Sequence, residues 1–112
     1  MKPATILYIE SIEYLREVAK EHGYAIAVHG SMARDLDLLA CPWTDEAKDA
    51  STLAEAIRRK LELCTGEKWY GHQSDPGIKP HGRLAYNFVP GCGGGMFVDL
   101  SVMPLTGKQA QP

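Results

Sequence analysis

The sequence predicts an α/β (α+β) domain in which a small mixed sheet of about four strands packs on two helices. Two stretches carry apolar residues at three- or four-residue steps, which is typical of amphipathic helices. Four short apolar runs have the composition of strands, and Gly- or Pro-containing segments separate them. The chain has 112 residues, 45% of them hydrophobic, so one core is expected without disulfides. We therefore expect a single domain over residues 1–104 and a flexible tail over residues 105–112.

The first helix is predicted over residues 3–21, with Gly23 as its stop signal. Its apolar stripe is formed by Tyr8, Ile9, Ile12, Leu15 and Val18. Residues 24–28 follow as a mostly apolar run rich in strand-forming residues. That composition predicts a buried strand, which ends at His29-Gly30-Ser31.

A second apolar run over residues 36–41 predicts the next strand. Asp35 precedes it, and Pro42 follows it with a missing N–H that is expected to end ladder pairing. Period-two alternation directs Leu36, Leu38 and Ala40 toward the core.

Residues 44–64 predict the second helix, since acidic residues come early and basic residues late. Thr52 and Glu55 have the spacing of a capping box, so the regular helix is expected to start at Thr52. Thr65-Gly66 closes it. The buried face is predicted to comprise Leu53, Ile57, Leu61 and Cys64.

The last third of the chain predicts a loop and a hairpin. Residues 70–82 contain three glycines and two prolines, a composition that opposes regular structure. Residues 83–89 and 96–103 are strand-like and flank a Gly-rich turn, which predicts an antiparallel pair. In the second of these strands, Val98, Leu100 and Val102 share one face and Phe97, Asp99 and Ser101 the other.

Composition excludes several classes of protein. The 12 Lys+Arg against 14 Asp+Glu lack the basic surplus of a non-specific nucleic-acid binder. The apolar stretches fall far short of the roughly 20 residues that cross a bilayer, and the apolar run near the start is too brief for a signal peptide. Three cysteines without CxxC spacing favour a reduced setting and lack zinc-ligand spacing. We expect a cytoplasmic protein with no membrane partner.

Three aspartates carry the strongest chemical signal. Asp35 and Asp37 are two residues apart at the start of a strand, which puts both carboxylates on one face, roughly 7 Å apart at Cα. Asp99 repeats the arrangement on the last strand. If these strands are neighbours, the three carboxylates converge, and a divalent cation would relieve their repulsion. Oxygen ligands of this kind select Mg²⁺ or Mn²⁺.

The Gly30-Ser31 pair lies just before this acidic strand. Glycine lets the backbone approach a phosphate closely, and the Ser31 hydroxyl and neighbouring amides can donate to its oxygens. Together with the three aspartates, this order of motifs predicts a site for a metal and a nucleoside triphosphate.

The motifs Gly30-Ser31-Met32-Ala33-Arg34, Asp35-Leu36-Asp37-Leu38 and Asp99 resemble the nucleotidyltransferase superfamily that includes DNA polymerase β and the minimal nucleotidyltransferases. The resemblance implies that Asp35, Asp37 and Asp99 bind Mg²⁺ and act as the catalytic residues. It also implies that Gly30 and Ser31 contact the triphosphate, and Arg34 and Lys79 are further candidates to hold it. The implied activity is transfer of a nucleoside monophosphate to a hydroxyl of a protein or nucleic acid.

The sequence departs from the family in one respect. Several residues usually separate the Gly-Ser run from the aspartate pair, whereas Asp35 follows Arg34 directly here. The connecting turn or helix must therefore be much shortened. This departure favours the alternative of a catalytically inactive scaffold that works by binding a protein partner, while the three retained aspartates favour an enzyme. A small sheet also leaves an edge that a partner or a second copy could cover.

Other residues admit plainer interpretations. An Asp-x-Asp pair on a strand is usually a solvated face, and His29, at a strand end, is more often structural than catalytic. His72 and His81 lie in the long loop with Lys68, Lys79 and Arg83. A flexible basic loop of this kind could close over phosphates, although such a loop is more often simply solvated.

Overall fold

Two helices and six strands are present in the computed structural model, which describes residues 4–71, 77–78, 80–92 and 95–105. The predicted α+β class and the order helix, strand, strand, helix, hairpin are confirmed. In chain order the elements are α1 Ala4–Glu21, β1 Tyr24–His29, β2 Asp35–Pro42, α2 Ala50–Thr65, β3 Trp69–Gly71, β4 Gly77–Ile78, a 3₁₀ turn Pro80–Gly82, β5 Leu84–Pro90 and β6 Phe97–Val102.

The strands form one mixed sheet with the order β1-β2-β6-β5-β3. The β2–β6 pair is parallel, whereas β1–β2, β5–β6, β3–β5 and β4–β5 are antiparallel. The predicted hairpin is therefore present as β5 and β6, with Phe88 opposite Val98 near its turn. The parallel pair joins segments about 60 residues apart in sequence, which local patterns do not reveal.

The prediction of about four strands was too low because β3 and β4 were assigned to a loop. Both strands are short, and both pair with β5 along the edge that β6 leaves free. Two or three residues are too short a run to show a strand period, so pairing with β5 decides their conformation. Trp69 further fixes β3, since its indole N–H donates to Thr65 Oγ1 at 2.8 Å.

The core lies between the two helices and one face of the sheet. The predicted inward residues of β2 and β6 are all buried, and Tyr86 and Phe88 of β5 join them. Helix α1 packs on α2 and β1, and α2 packs on β3 and β5. The opposite face, which we call the open face, has no helix over it among the described elements. The inward residues are Leu36, Leu38, Ala40, Val98, Leu100 and Val102.

The buried face of α1 is rotated from the predicted stripe. Tyr8, Ser11, Leu15 and Ala19 are buried, whereas Ile9 is 55% exposed. Ser11 can occupy this face because its hydroxyl donates to Leu7 O within the helix at 2.7 Å. The predicted stripe is thus confirmed for Tyr8 and Leu15 and in part for Ile12 and Val18, which pack against the core, whereas Ile9 was placed wrongly.

Helix α2 begins earlier than the capping-box spacing predicts. Its N-cap is Asp49, whose side chain accepts from the backbone N–H of Thr52 at 2.8 Å. Glu55 does not reach back to Thr52; it pairs with Arg58 and Arg59. The predicted end is confirmed, since Gly66 is the left-handed C-cap. Leu53, Ile57 and Leu61 are buried as predicted, and Cys64 is only partly so.

Strand β1 is an edge strand, so the prediction of a buried strand was wrong. Only Tyr24 is fully buried in it, and Ala25, Ala27 and His29 are exposed on the open face. Pro42 also belongs to β2, where it pairs with Tyr24. The Trp43 N–H donates to Gly23 O, so the neighbouring Tyr24–Pro42 pair is a position that exchanges no hydrogen bonds. The missing N–H of proline therefore costs β2 nothing on this side.

Leu105 is partly buried against the core, and the rest of the predicted tail lies outside the described residues. Within the described part of the chain, neither helix is long and apolar enough to span a membrane.

Candidate functional site

A row of polar residues crosses four strands of the open face. His29 of β1 is opposite Asp37 of β2, Asp37 is level with Asp99 of β6, and Asp99 is opposite Asn87 of β5. Because neighbouring strands lie about 4.8 Å apart, the Asp37 and Asp99 backbones are close enough for their carboxylates to share a ligand. The condition that β2 and β6 be neighbours is thus met.

The polar row forms the floor of a pocket of about 430 Å³. His29, Asp37, Asp99 and Asn87 line it together with Arg83, Ala85, Phe97 and Ser101. Two carboxylates therefore face one arginine and one histidine within the same concavity. A pocket that combines acidic and basic groups suits a ligand carrying both a cation and an anion, such as a metal-bound phosphate.

The Gly30 backbone closes one side of the Asp37 carboxylate. Gly30 has a φ of +78°, and a Cβ built there would lie 2.7 Å from Asp37 Oδ2. Glycine is required here for both its conformation and its size. Gly30 of the Gly-Ser turn therefore lies directly beside the Asp37 carboxylate.

The rest of the turn is short and held in place by α1. No helix lies between β1 and β2, which agrees with the shortened connection that the sequence requires. Ser31 Oγ accepts from the Ala33 N–H at 3.2 Å, which leaves the Ser31 O–H able to donate to a ligand. Met32 has a φ of 60°, and its carbonyl accepts from Thr5 Oγ1 at 2.8 Å.

Tyr8 of α1 ties together the starts of β2 and β6. Its hydroxyl accepts from the Phe97 N–H at 2.9 Å and lies within donating distance of Arg34 O, at 2.5 Å, and Phe97 O, at 3.2 Å. Burial raises the pKa of Tyr8, and the charges of Asp35 and Asp37 add to this rise. The hydroxyl therefore stays protonated at physiological pH and keeps the two acidic strands in register.

Asp35 and Arg34 lie one step away from the main pocket. Asp35 is level with Phe97, and both line a neighbouring depression of about 420 Å³ together with Arg34. Phe97 also lines the main pocket, so its ring lies between the two concavities. Lys79, the other predicted phosphate-binding residue, lies outside the described residues.

The donor set fits a hard divalent cation in part. Asp37 and Asp99 offer carboxylate oxygens, and Asn87 offers an amide oxygen beside them. Among the described residues, no group of three or more His, Cys, Asp or Glu side chains is positioned to hold a metal ion. A cation here would therefore rest on the Asp37–Asp99 pair and take its remaining ligands from water and substrate, as Mg²⁺ commonly does.

Sequence reasoning missed the part of the pocket that β5 contributes. The sequence predicts Arg83 as part of a basic loop, and it predicts no site role for Asn87. The signal that could have found them is the hairpin register, because period-two alternation from Asn87 includes Ala85 and Arg83. His29, expected to be structural, is exposed and lines the pocket.

Comparison with known proteins supplied no relative. No family model, no curated protein and no solved structure matches the chain.

Proposed function

We propose that this protein is a Mg²⁺-dependent nucleotidyltransferase that moves a nucleoside monophosphate from a nucleoside triphosphate to a hydroxyl of a protein or nucleic acid. The observation that carries the proposal is the pairing of Asp37 and Asp99 on adjacent parallel strands, facing one pocket with Arg83. Contact between the Gly30 backbone and the Asp37 carboxylate supports it, because it brings a phosphate-binding type of turn to the acidic pair.

The reaction follows from the proposed roles. The oxygen of the acceptor hydroxyl forms a bond to the α-phosphorus, the bond from that phosphorus to the bridging oxygen breaks, and pyrophosphate leaves with the electron pair. Asp99 accepts the hydroxyl proton and passes it to water, while Ser31 donates to a phosphate oxygen. Asp37 and Asp99 would hold Mg²⁺, which would neutralise charge on the pyrophosphate and lower the pKa of the hydroxyl.

The test is transfer of label from nucleoside triphosphates in a cell extract. Label from an α-³²P nucleotide should pass to an acceptor in the presence of Mg²⁺, and label from a γ-³²P nucleotide should not, because pyrophosphate leaves. Asp99→Asn should suppress transfer while retaining part of nucleotide binding, since its proposed contribution is made mainly in the transition state. Glu17→Gln, on the exposed part of α1, is the control. Transfer of the γ label, or full activity of Asp99→Asn, would contradict the proposal.

The second candidate is an inactive scaffold that binds a protein partner. The position of Asp35 favours it, since this carboxylate lines a separate depression from Asp37 and Asp99. In that case neither label transfers, and a partner protein is retained equally with and without Mg²⁺.

A further inference from the structure

We propose that Arg83 binds the departing phosphates of the substrate, so that the pocket takes a cation-bound pyrophosphate group between the acidic pair and this arginine. The inference rests on the proposed function, since it assigns the position of the triphosphate in that site. It differs from the expectation drawn from the sequence, in which Arg34 and Lys79 hold the triphosphate.

The first argument is the position of Arg83. It directly precedes β5, is partly buried, and lines the same pocket as Asp37 and Asp99. Its Nη1 donates to Ser101 Oγ at 3.3 Å. Ser101 is the next residue after Asp99 on the open face, so this hydrogen bond holds the guanidinium about 7 Å along the strand from the acidic pair. That spacing suits a ligand with charged groups at both ends.

The second argument is the donor capacity of Arg83. A guanidinium has five N–H donors and keeps its charge at all physiological pH values. Within the described part of the chain, Arg83 makes one hydrogen bond, to Ser101, so most of these donors remain for a ligand. Planar pairs of N–H groups match phosphate oxygens in bidentate fashion.

The third argument is electrostatic. The charges of Asp37 and Asp99 disfavour a bare phosphate beside them, so a cation against the carboxylates would favour the binding of an anion in this pocket. The end of the anion that lies away from this cation then needs a positive group, and Arg83 supplies one in the same pocket. Arg34 does not line this pocket; it is exposed beside the neighbouring depression.

The experiment is calorimetric binding of inorganic pyrophosphate in the presence of Mn²⁺. Arg83→Gln should weaken pyrophosphate binding by about tenfold or more, the loss expected for a hydrogen-bonded charge pair. Arg83→Lys should recover only part of the affinity because it lacks the planar fork. Arg16→Gln, on the exposed part of α1, is the matched control and should change the affinity by less than about twofold.

Ser101 tests the positioning part of the inference. Ser101→Ala should weaken binding less than Arg83→Gln does, and Ser101→Thr, which keeps the hydroxyl, should restore it. The melting temperature of each variant shows that it is folded. The inference is overturned if the wild type binds no pyrophosphate with Mn²⁺, or if Arg83→Gln binds as well as the wild type. Pyrophosphate binding needs no transfer activity, so a failure here is distinct from a failure of the labelling test.

Discussion

Gly30 is the residue at which the turn after β1 meets the acidic pair. Its φ of +78° lies in the left-handed region, and its missing side chain leaves room for the Asp37 carboxylate. Asp37 also lines the pocket of the candidate site. Gly66 offers a comparison, because it has a φ of +72° and no atom within 4 Å of the position its Cβ would take.

Alanine substitution at these two glycines separates strain from site geometry. Both variants should lose about 1–2 kcal/mol of unfolding free energy, because alanine resists the left-handed conformation. The proposed site predicts that millimolar Mn²⁺ raises the melting temperature of the wild type. Gly30→Ala should displace the Asp37 carboxylate and abolish this rise. Gly66→Ala, at the end of α2, should keep that rise. An undiminished Mn²⁺ response in Gly30→Ala would show that Asp37 does not hold the cation from its observed position.

At this scale the sequence predicted Asp37, Asp99 and Gly30 as candidate site residues, and the structure brings these three together. The sequence did not predict that Arg83 and Asn87 line the same pocket. The distance of Arg83 and Asn87 from Asp99 depends on the register of the β5–β6 pair. The Gly-rich sequence between the two strands does not specify one turn type, so it does not predict that register. Asp37 and Asp99 could be predicted from residues next to them in sequence, whereas the position of Arg83 depends on which strands pair.

Helix α2 shows how capping decides where an element begins. Asp49 accepts hydrogen bonds from Thr52 and Ser51, and those from Thr52 are the main cause of the lowered pKa of its carboxyl. The capping-box spacing of Thr52 and Glu55 was misleading because Glu55 instead pairs with Arg58 further along the helix. Several residues near the start of a helix can act as its N-cap. Which of them does so depends on hydrogen bonds and ion pairs that sequence spacing alone does not predict.

Removing this cap should destabilise the protein in a pH-dependent way. Asp49→Ala should cost about 0.5–2 kcal/mol of unfolding free energy near pH 7, measured by urea unfolding. Because the pKa of Asp49 is lowered on folding, its ionised form stabilises the protein above the unfolded pKa of about 3.9, and this is lost as pH falls further through the folded pKa. The difference between wild type and variant should therefore shrink below pH 4. Glu17→Gln, on the exposed part of α1, should show no comparable loss at pH 7. A difference that stays constant down to pH 2 would mean that the carboxylate charge does not contribute.

The elements that the sequence predicted well are those with a strong local period. Helix α1, the end of α2 and the β5–β6 hairpin have nearly their expected bounds. The edge position of β1 and the short strands β3 and β4 escaped prediction, because they depend on which strands become neighbours. The parallel β2–β6 pair likewise depends on which strands become neighbours, and this pairing brings Asp37 next to Asp99.

The whole molecule is built asymmetrically about its sheet. Both helices cover one face, and the polar row with its pocket lies on the other. Two neighbouring residues of β2 show the difference in burial between the two faces. Leu38 is 1% exposed in the core, whereas Leu39 is only partly buried on the open face. Leu39 lies between Ala27 and Ser101, both of which have small side chains.

Alanine at these two adjacent leucines tests whether the open face is free in solution. Leu38→Ala should cost about 2–5 kcal/mol of unfolding free energy, because it removes a buried side chain and leaves a cavity. Leu39→Ala should cost less than Leu38→Ala, because Leu39 keeps part of its surface in water in the folded protein. The stability of both variants should be independent of protein concentration if the face is open. A large loss in Leu39→Ala that grows on dilution would show instead that a second copy covers the sheet, since dissociation then contributes to unfolding. The pocket would in that case be closed by the dimer, and the wild type should bind pyrophosphate and Mn²⁺ more tightly as it is diluted.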